Sequence, residues 1–250
     1  MAVKITKKIA LLLAVLVIGG GVFTASMILQ PQNQTSANAD SEKLSNPEPS
    51  NSDMTPVSFL NYDMVMGHKN APIEIIEYAA ISCSHCAYFH ADVLPLLKEK
   101  YIDTGKVKLV YRNFIFDNPF DVFASSLTRC TTEENFFPAV KTYFEFQKVW
   151  VNNQELKRIY EAEGHEAAIK YAQGEVAKIG KMSGMSLADA QKCFDNGGVI
   201  DYLLKIRQEA VEKYQVNSTP TLIINGKKIE GHHLEDLERA IAEVNITGEN

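Results

Sequence analysis

Cys83 and Cys86, in the segment SCSHC, have the residue type and spacing with the most reactive chemistry in the sequence. Two thiols separated by two residues can bind a metal ion, form a structural disulfide, or form a disulfide that is made and broken during a reaction. A zinc site needs a second pair or histidines at set spacings, and the sequence has no second Cys-x-x-Cys. Haem attachment needs a histidine directly after the second cysteine, where Ala87 stands. The pattern favours a redox-active pair with no metal and no cofactor.

The residues around this pair predict a strand, a helix and a second strand. APIEIIEYAAIS is rich in β-branched and aromatic residues, which is typical of a buried central strand. After Cys83 the apolar spacing becomes helical, with a kink expected at Pro95 and a stop at Gly105, and residues 106–114 alternate as a second strand. Such a βαβ unit places Cys83 where a strand ends and a helix begins. Free backbone N–H groups at that helix start favour a thiolate, and a charged His85 would favour it further.

The rest of the chain predicts a helical region followed by a return to β structure. Residues 118–214 are helical in pattern and too long to be a loop, so they are interpreted as a helical insertion. NSTPTLIINGKKIEG then predicts a hairpin that turns at Asn225-Gly226, and a closing helix follows it. Pro220 marks either a strand start or a special turn with a cis bond. The predicted class is α/β, with a mixed sheet of βαβ…ββα order.

The N-terminal residues have the pattern of an export signal. MAVKITKK carries three lysines and no acid, and residues 9–29 are almost continuously apolar. Two outcomes stay open: cleavage of a signal peptide, for which Ala37–Ala39 offers a small-x-small site, or retention of residues 1–29 as a membrane anchor. Residues 30–56 are rich in Asn, Ser, Pro and Gln and are interpreted as a disordered linker.

The charge of the chain argues against a nucleic-acid partner. The formal net charge is −6, and it becomes −9 without residues 1–39, which hold three lysines and no acid. Nucleic-acid binding requires basic surfaces, which this balance does not favour. In an exported protein, the even number of four cysteines is typical of disulfides.

Taken together, these motifs resemble the DsbA-like branch of the thioredoxin-fold thiol:disulfide oxidoreductases. The resemblance covers about residues 62–244, and three features in order carry it: SCSHC after IIEYAAI, the helical insertion, and STPTLIING. It implies a thioredoxin-like domain made of residues 57–117 and 215–250, interrupted by the insertion at 118–214. By position it implies an exposed nucleophile at Cys83, a buried resolving cysteine at Cys86, a histidine that steadies the thiolate at His85, a buried proton-exchanging acid at Glu77, and a substrate-lining cis-proline loop at Thr219-Pro220.

Further expectations follow from this resemblance for the other cysteines and histidines. Cys130 and Cys193, each expected on a helix of the insertion, are expected to form a structural disulfide. Four further histidines, His90, His165, His232 and His233, are interpreted as surface or packing residues.

The activity that the resemblance implies is disulfide formation in exported proteins, in the periplasm. The expected partners are reduced or unfolded substrates and a DsbB-type, quinone-linked membrane protein that reoxidises a monomeric enzyme. The familiar DsbA site has proline where this chain has Ser84, which leaves the backbone freer and adds a hydroxyl near the thiolate. Ser84 and Thr219 keep open a disulfide reductase or isomerase, for example in cytochrome maturation. A copper or zinc carrier using Cys83, Cys86 and His85 is a further alternative.

Overall fold

The computed structural model describes residues 58–247. The predicted export segment at 1–29 and the linker at 30–56 lie outside these residues. Within 58–247, no helix is apolar over a sufficient length to cross a bilayer.

The described residues contain a mixed sheet of five strands in the order β1-β3-β2-β4-β5. Strands β2 and β3 are parallel, and the other three neighbouring pairs are antiparallel. Strand β2 is central, which explains why its sequence is apolar on both faces. The strands are β1 (Met64–Met66), β2 (Ile73–Ala79), β3 (Val107–Asn113), β4 (Thr221–Ile224) and β5 (Lys227–Lys228).

The helical stretch after β2 is less regular than the sequence predicts. Helix α1 (Ser84–Tyr88) and helix α2 (Leu94–Leu97) are separated by a π-helical turn at Phe89–Val93, and a second π turn at Lys98–Ile102 follows. Pro95 has no N–H to donate into the preceding turn, so a regular α-helical hydrogen bond cannot form there. The distortion is therefore a widened turn before the proline, and the kink expected at Pro95 stays a prediction.

Helices cover both faces of the sheet. On one face, Ile75, Leu109 and Leu222 pack with Phe89 and with Leu237 of α10 (Leu234–Thr247). On the other face, the next residues along the same strands, including Ile76, Val110 and Ile223, pack with the last helix of the central helical region. Alternation of side chains along each strand supplies both cores.

Seven helices lie between β3 and β4 in the described chain. The first of them have their own core around Phe120 and Trp150, whereas the last helix, α9, packs directly on the sheet. The helical region is thus continuous with the sheet core, and the predicted domain limits at 118 and 214 stay a prediction. The helices are α3 (Pro119–Arg129), α4 (Glu133–Glu145), α5 (Gln147–Trp150), α6 (Asn153–Glu163), α7 (His165–Met182), α8 (Leu187–Phe194) and α9 (Gly197–Tyr214).

A disulfide joins two helices of this region. The Sγ atoms of Cys130 and Cys193 are 2.04 Å apart, and their Cα atoms are 6.2 Å apart. Cys193 lies on α8, but the expectation of a helical position for Cys130 was wrong, because this residue follows the last residue of α3 as its C-terminal cap. The bond ties the end of α3 to α8 within the core of the helical region.

Candidate active site

Cys83 occupies the turn between β2 and α1, where the backbone is extended before the helix starts. Its side chain is partly exposed, and its Sγ is 3.2 Å from the carbonyl oxygen of Thr219, which accepts a hydrogen bond from the thiol form. The peptide bond between Thr219 and Pro220 is cis and lies directly before β4. Because β4 pairs antiparallel with β2, the start of β4 reaches the end of β2, and the loop faces the cysteine.

The surroundings of Cys83 favour its thiolate. A hydrogen bond from the Cys86 thiol is the largest influence and outweighs partial burial, so that the pKa of Cys83 falls to about 5. The Thr219 side chain and the backbone N–H groups of Cys86 and His85 lower this pKa further. At neutral pH the group is therefore a thiolate, which is the nucleophilic form of cysteine.

Cys86 has the opposite environment. It has no exposed surface and packs with Ala79, Tyr111 and Phe144. Burial raises the pKa of Cys86 well above its ordinary value, and the negative charges of Cys83 and Glu77 raise it further. One sulfur is therefore accessible and ionised, while its neighbour is inaccessible and keeps its proton.

Glu77 lies behind Cys86 on β2 and is fully buried. Both of its carboxylate oxygens contact Nε2 of His90, at 3.1 and 3.0 Å. The side chain of His90 is only 7% exposed and belongs to the first π turn. The interpretation of His90 as a surface or packing residue is incomplete: the ring packs against Phe144, and it is also the hydrogen-bonding partner of the buried acid. Its position four residues after Cys86, on the same helical face, is a signal that sequence reasoning could have used.

His85 is exposed and lies against a second histidine. Its ring centroid is 5.6 Å from that of His232, which stacks on His233 at 5.0 Å. The Tyr88 ring lies 5.7 Å from that of His233, so that His85, Tyr88, His232 and His233 form one cluster of rings beside α1. Burial, followed by His233 and His85, lowers the pKa of His232. Sequence reasoning did not connect His232 and His233 to the cysteine pair, because they are about 150 residues away in the chain.

The helical region holds the cysteine-bearing turn through two buried side chains that sequence reasoning missed. Asp121 on α3 accepts a 2.8 Å hydrogen bond at Oδ1 from the backbone N–H of Ser82. The Nε2 group of Gln147 on α5 donates to the carbonyl oxygens of Ile81, at 2.7 Å, and Cys83, at 3.0 Å. These bonds satisfy main-chain groups that the end of β2 leaves without strand partners. Asp121 resembles an ordinary helix-start acid in the sequence, and Gln147 has no distinguishing pattern.

The Thr219 hydroxyl contributes to the site through proximity. Its Oγ1 is buried and makes no hydrogen bond of standard geometry with any described atom. The pKa of Cys83 and that of Cys86 are nevertheless both lowered by this side chain, after the larger influences already given. The hydroxyl is therefore a buried O–H without a fixed partner among the described residues, on the residue whose carbonyl oxygen contacts Cys83.

As for metals, among residues 58–247 no three His, Cys, Asp or Glu side chains are arranged to hold an ion.

A pair of cysteines at a strand-to-helix turn, facing a cis-proline loop, defines a thioredoxin-type fold and site. The thioredoxin family model matches residues 60–243, and the chain belongs to that family.

Similar proteins agree with this assignment. A Rickettsia typhi protein whose name describes a protein-disulfide oxidoreductase is 28% identical over 181 residues, which are 72% of this chain and 61% of that protein. The chain thus spans about three fifths of that relative. The crystal structure of alpha-DsbA1 from Wolbachia pipientis is 25% identical with a TM-score of 0.60, covering 74% of this chain and 92% of that one. A protein-disulfide isomerase from Novosphingobium aromaticivorans has a TM-score of 0.64 at 21% identity, covering 72% and 96%. The predicted thioredoxin fold with a helical insertion is confirmed.

Proposed function

We propose that this protein is a thiol:disulfide oxidoreductase that introduces disulfide bonds into exported proteins through Cys83 and Cys86. The observation that carries the proposal is the asymmetry of the pair. Cys83 is accessible, with its pKa lowered to about 5, whereas Cys86 is buried, with its pKa raised. The names of the relatives support the same class of chemistry.

The reaction begins with the pair oxidised. A substrate thiolate attacks Sγ of Cys83, the Cys83–Cys86 bond breaks, and Cys86 leaves as a thiolate that takes up a proton. The second substrate thiolate then attacks the substrate sulfur of the mixed disulfide, and the Cys83 thiolate leaves. Two electrons pass from the substrate to the protein, and the substrate gains one disulfide.

The low pKa of Cys83 sets the direction of this exchange. A thiolate that is stable at neutral pH stabilises the reduced protein and makes the oxidised protein a stronger oxidant. The stability of the reduced protein increases only over the interval between the pKa of Cys83 and the working pH. For a pKa of about 5 and a neutral pH, this interval is about two pH units. After allowance for the screening of this partly exposed group, the effect is about 2 kcal/mol, on the order of 40 mV.

The other parts of the proposal concern the substrate, the partner and the compartment. The loop at Thr219-Pro220 lines the exposed side of Cys83 and would contact the bound substrate chain. A DsbB-type membrane protein linked to quinones would reoxidise the pair. Residues 1–29 would direct the protein to the periplasm, as a cleaved signal or as a membrane anchor, and it would act there as a monomer without a cofactor.

A disulfide isomerase or reductase is the second candidate. The name of the Novosphingobium aromaticivorans structure favours it, since that protein is called a protein-disulfide isomerase. The exposed Ser84 between the cysteines also favours an isomerase or reductase, because the familiar DsbA oxidase site has proline at this position. The lowered pKa of Cys83 favours the oxidase.

The direct test is oxidation of a reduced, unfolded ribonuclease A by a stoichiometric amount of the oxidised protein. We expect the wild-type protein to restore ribonuclease activity, and Cys83→Ala to fail. Cys86→Ala cannot form the oxidised pair and should also fail with the reduced substrate. When it is mixed with oxidised, scrambled ribonuclease instead, its Cys83 thiolate should attack a substrate disulfide and accumulate as a mixed disulfide, visible by mass spectrometry. Lys170→Ala, at an exposed position of α7, is the control, because it changes the surface away from the cysteine-bearing turn and removes no sulfur. A Cys83→Ala protein as active as wild type would contradict the proposal.

A further inference from the structure

We propose that His90 is the second member of a buried proton relay that connects Cys86, through Glu77, to solvent. The inference rests on the proposed function and assigns a role to a residue that the reaction described above does not use. Its basis is geometric: a fully buried acid beside a buried thiol, both of whose oxygens contact one almost buried imidazole.

Glu77 is isolated from solvent. It lies on the central strand, paired with Tyr111 on one side and with Leu222 on the other, and it has no exposed surface. A carboxylate in this position that exchanges protons with Cys86 needs a route for the proton out of the core. His90 is its hydrogen-bonding partner, and the imidazole retains 7% exposure where Glu77 has none. The route to solvent therefore passes through His90.

The imidazole of His90 has a fixed orientation. The ring of His90 lies 4.5 Å from the ring of Phe144 and 5.8 Å from those of Phe89 and Tyr111. These aromatic neighbours hold Nε2 against the carboxylate. The residue belongs to a π turn, and π turns within helices recur at functional sites because they redirect side chains.

Other ionisable groups lie around Glu77 and His90. Cys86 faces Glu77 from α1, and the Tyr111 hydroxyl faces it from β3. Burial, followed by the charges of Glu77 and Cys86, raises the pKa of Tyr111 well above its ordinary value, so this phenol stays neutral. Arg129 and Asp121 act on Tyr111 from further away, and the Phe144 side that α4 presents to His90 is apolar. The imidazole is thus the group in hydrogen-bonding contact with Glu77, and its two ring nitrogens allow it to take up a proton at one and release a proton from the other.

The proton balance works in both directions. When Cys86 leaves as a thiolate, the Glu77 carboxylic acid gives it a proton and becomes a carboxylate. His90 then passes a proton to this carboxylate and takes up another proton from water. When Cys86 must attack a mixed disulfide on Cys83, its thiol proton passes to the Glu77 carboxylate and on to neutral His90. The imidazolium releases the proton to water.

The test separates the relay from a merely structural hydrogen bond. His90→Gln keeps an N–H donor for Glu77 but cannot carry a proton, and Glu77→Gln removes the acid. His165→Gln, an exposed histidine of α7, is the matched control. The reduced proteins are mixed with oxidised glutathione, quenched with acid at set times and analysed by mass spectrometry. Formation of the Cys83–glutathione mixed disulfide reports the first step, and its closure by Cys86 reports the second.

We expect unchanged formation of the mixed disulfide in all variants and slower closure in two of them. Closure should slow at least about tenfold in His90→Gln and in Glu77→Gln, since general acid–base catalysis typically contributes about 10²–10⁴-fold. The double variant should close no more slowly than Glu77→Gln, since both residues serve one relay. Closure in His90→Gln at the wild-type rate and with the wild-type pH profile would overturn the relay. Failure of the wild-type protein to form the mixed disulfide would instead overturn the proposed function.

A second measurement needs no variant and covers the case in which His90→Gln does not fold. The imidazole nitrogens of wild-type His90 are followed by NMR through a pH titration of the oxidised and of the reduced protein. We expect different titration curves, because the proton on Cys86 is present in one state and absent in the other. Identical curves would show that His90 is not coupled to Cys86 and would overturn the relay.

Discussion

Replacement of Asp121 by asparagine tests how the helical region supports the cysteine-bearing turn. Asp121 is fully buried, Oδ1 accepts the hydrogen bond from Ser82, and Oδ2 has no partner among the described atoms. Burial raises the pKa of Asp121 to about 6, against the opposing effect of hydrogen bonds from Ser82 and from the Phe116 backbone. Asparagine keeps the acceptor at Oδ1 and removes the ionisation.

The expected magnitude follows from proton linkage. An aspartate in an unfolded chain has a pKa of about 3.9, so between about pH 4 and pH 6 the folded state holds a proton that the unfolded state has lost. The contribution of Asp121 to the free energy of unfolding therefore falls as the pH rises through this window. A shift of about two pH units corresponds to about 3 kcal/mol. The asparagine variant has no such loss, so its stability relative to wild type should rise by about 3 kcal/mol from about pH 4 to neutral pH.

The assay is urea unfolding across this pH range, followed by the fluorescence of Trp150, the single tryptophan of the chain, which is 1% exposed. The Cys83–Cys86 pair is kept oxidised so that Cys83 does not titrate. The urea midpoint of Asp121→Asn relative to wild type should move by about 1–2 M across the range. Asp201→Asn, at an exposed position of α9, controls for the change in net charge. A stability difference that does not change with pH would refute the assignment of a raised pKa to the buried carboxyl.

Three further outcomes are expected. Gln147→Leu removes the donor to the carbonyl of Ile81 and should lower the free energy of unfolding by about 1–3 kcal/mol in urea titrations; an unchanged midpoint would contradict the role of this contact. The thiolate absorbance of the reduced protein should rise with a midpoint of about pH 5 for Cys83, whereas a midpoint near that of an ordinary thiol would contradict the lowered pKa. Replacing Cys130 and Cys193 by alanine opens a loop with a sequence separation of 63 and should cost about 4 kcal/mol in the chain-entropy estimate; stability equal to wild type would show that this bond contributes nothing.

The layout of the fold could be predicted because each element has its own local pattern. The β-branched run of β2, the alternation of β3 and the Asn225-Gly226 turn each specify a strand or a hairpin within a few residues. Element ends were harder to place, as Cys130 shows, because a helix cap depends on one or two residues and on what packs beside them. The π turns were missed since their side-chain spacing differs from that of an α-helix by only one residue per turn.

The candidate site could be predicted where its residues are close in sequence or have a recognisable motif. Cys83, Cys86 and the cis bond at Pro220 belong to that group. Asp121 and Gln147 do not, because they reach the turn only after helices 39 to 66 residues away have docked beside it. The partnership of His90 with Glu77 depends on how a strand and a distorted helix pack, which the pattern of either element alone does not determine.

The reduction potential of the Cys83–Cys86 pair tests the central claim most directly. The wild-type protein is equilibrated with glutathione buffers, and the oxidised fraction of the pair is measured by alkylation and mass spectrometry of the peptide that carries both cysteines. Because only this peptide is counted, the redox state of Cys130 and Cys193 does not enter the measurement. An oxidase predicts a potential more oxidising than about −180 mV, whereas a potential near that of thioredoxin, about −270 mV, would contradict the account.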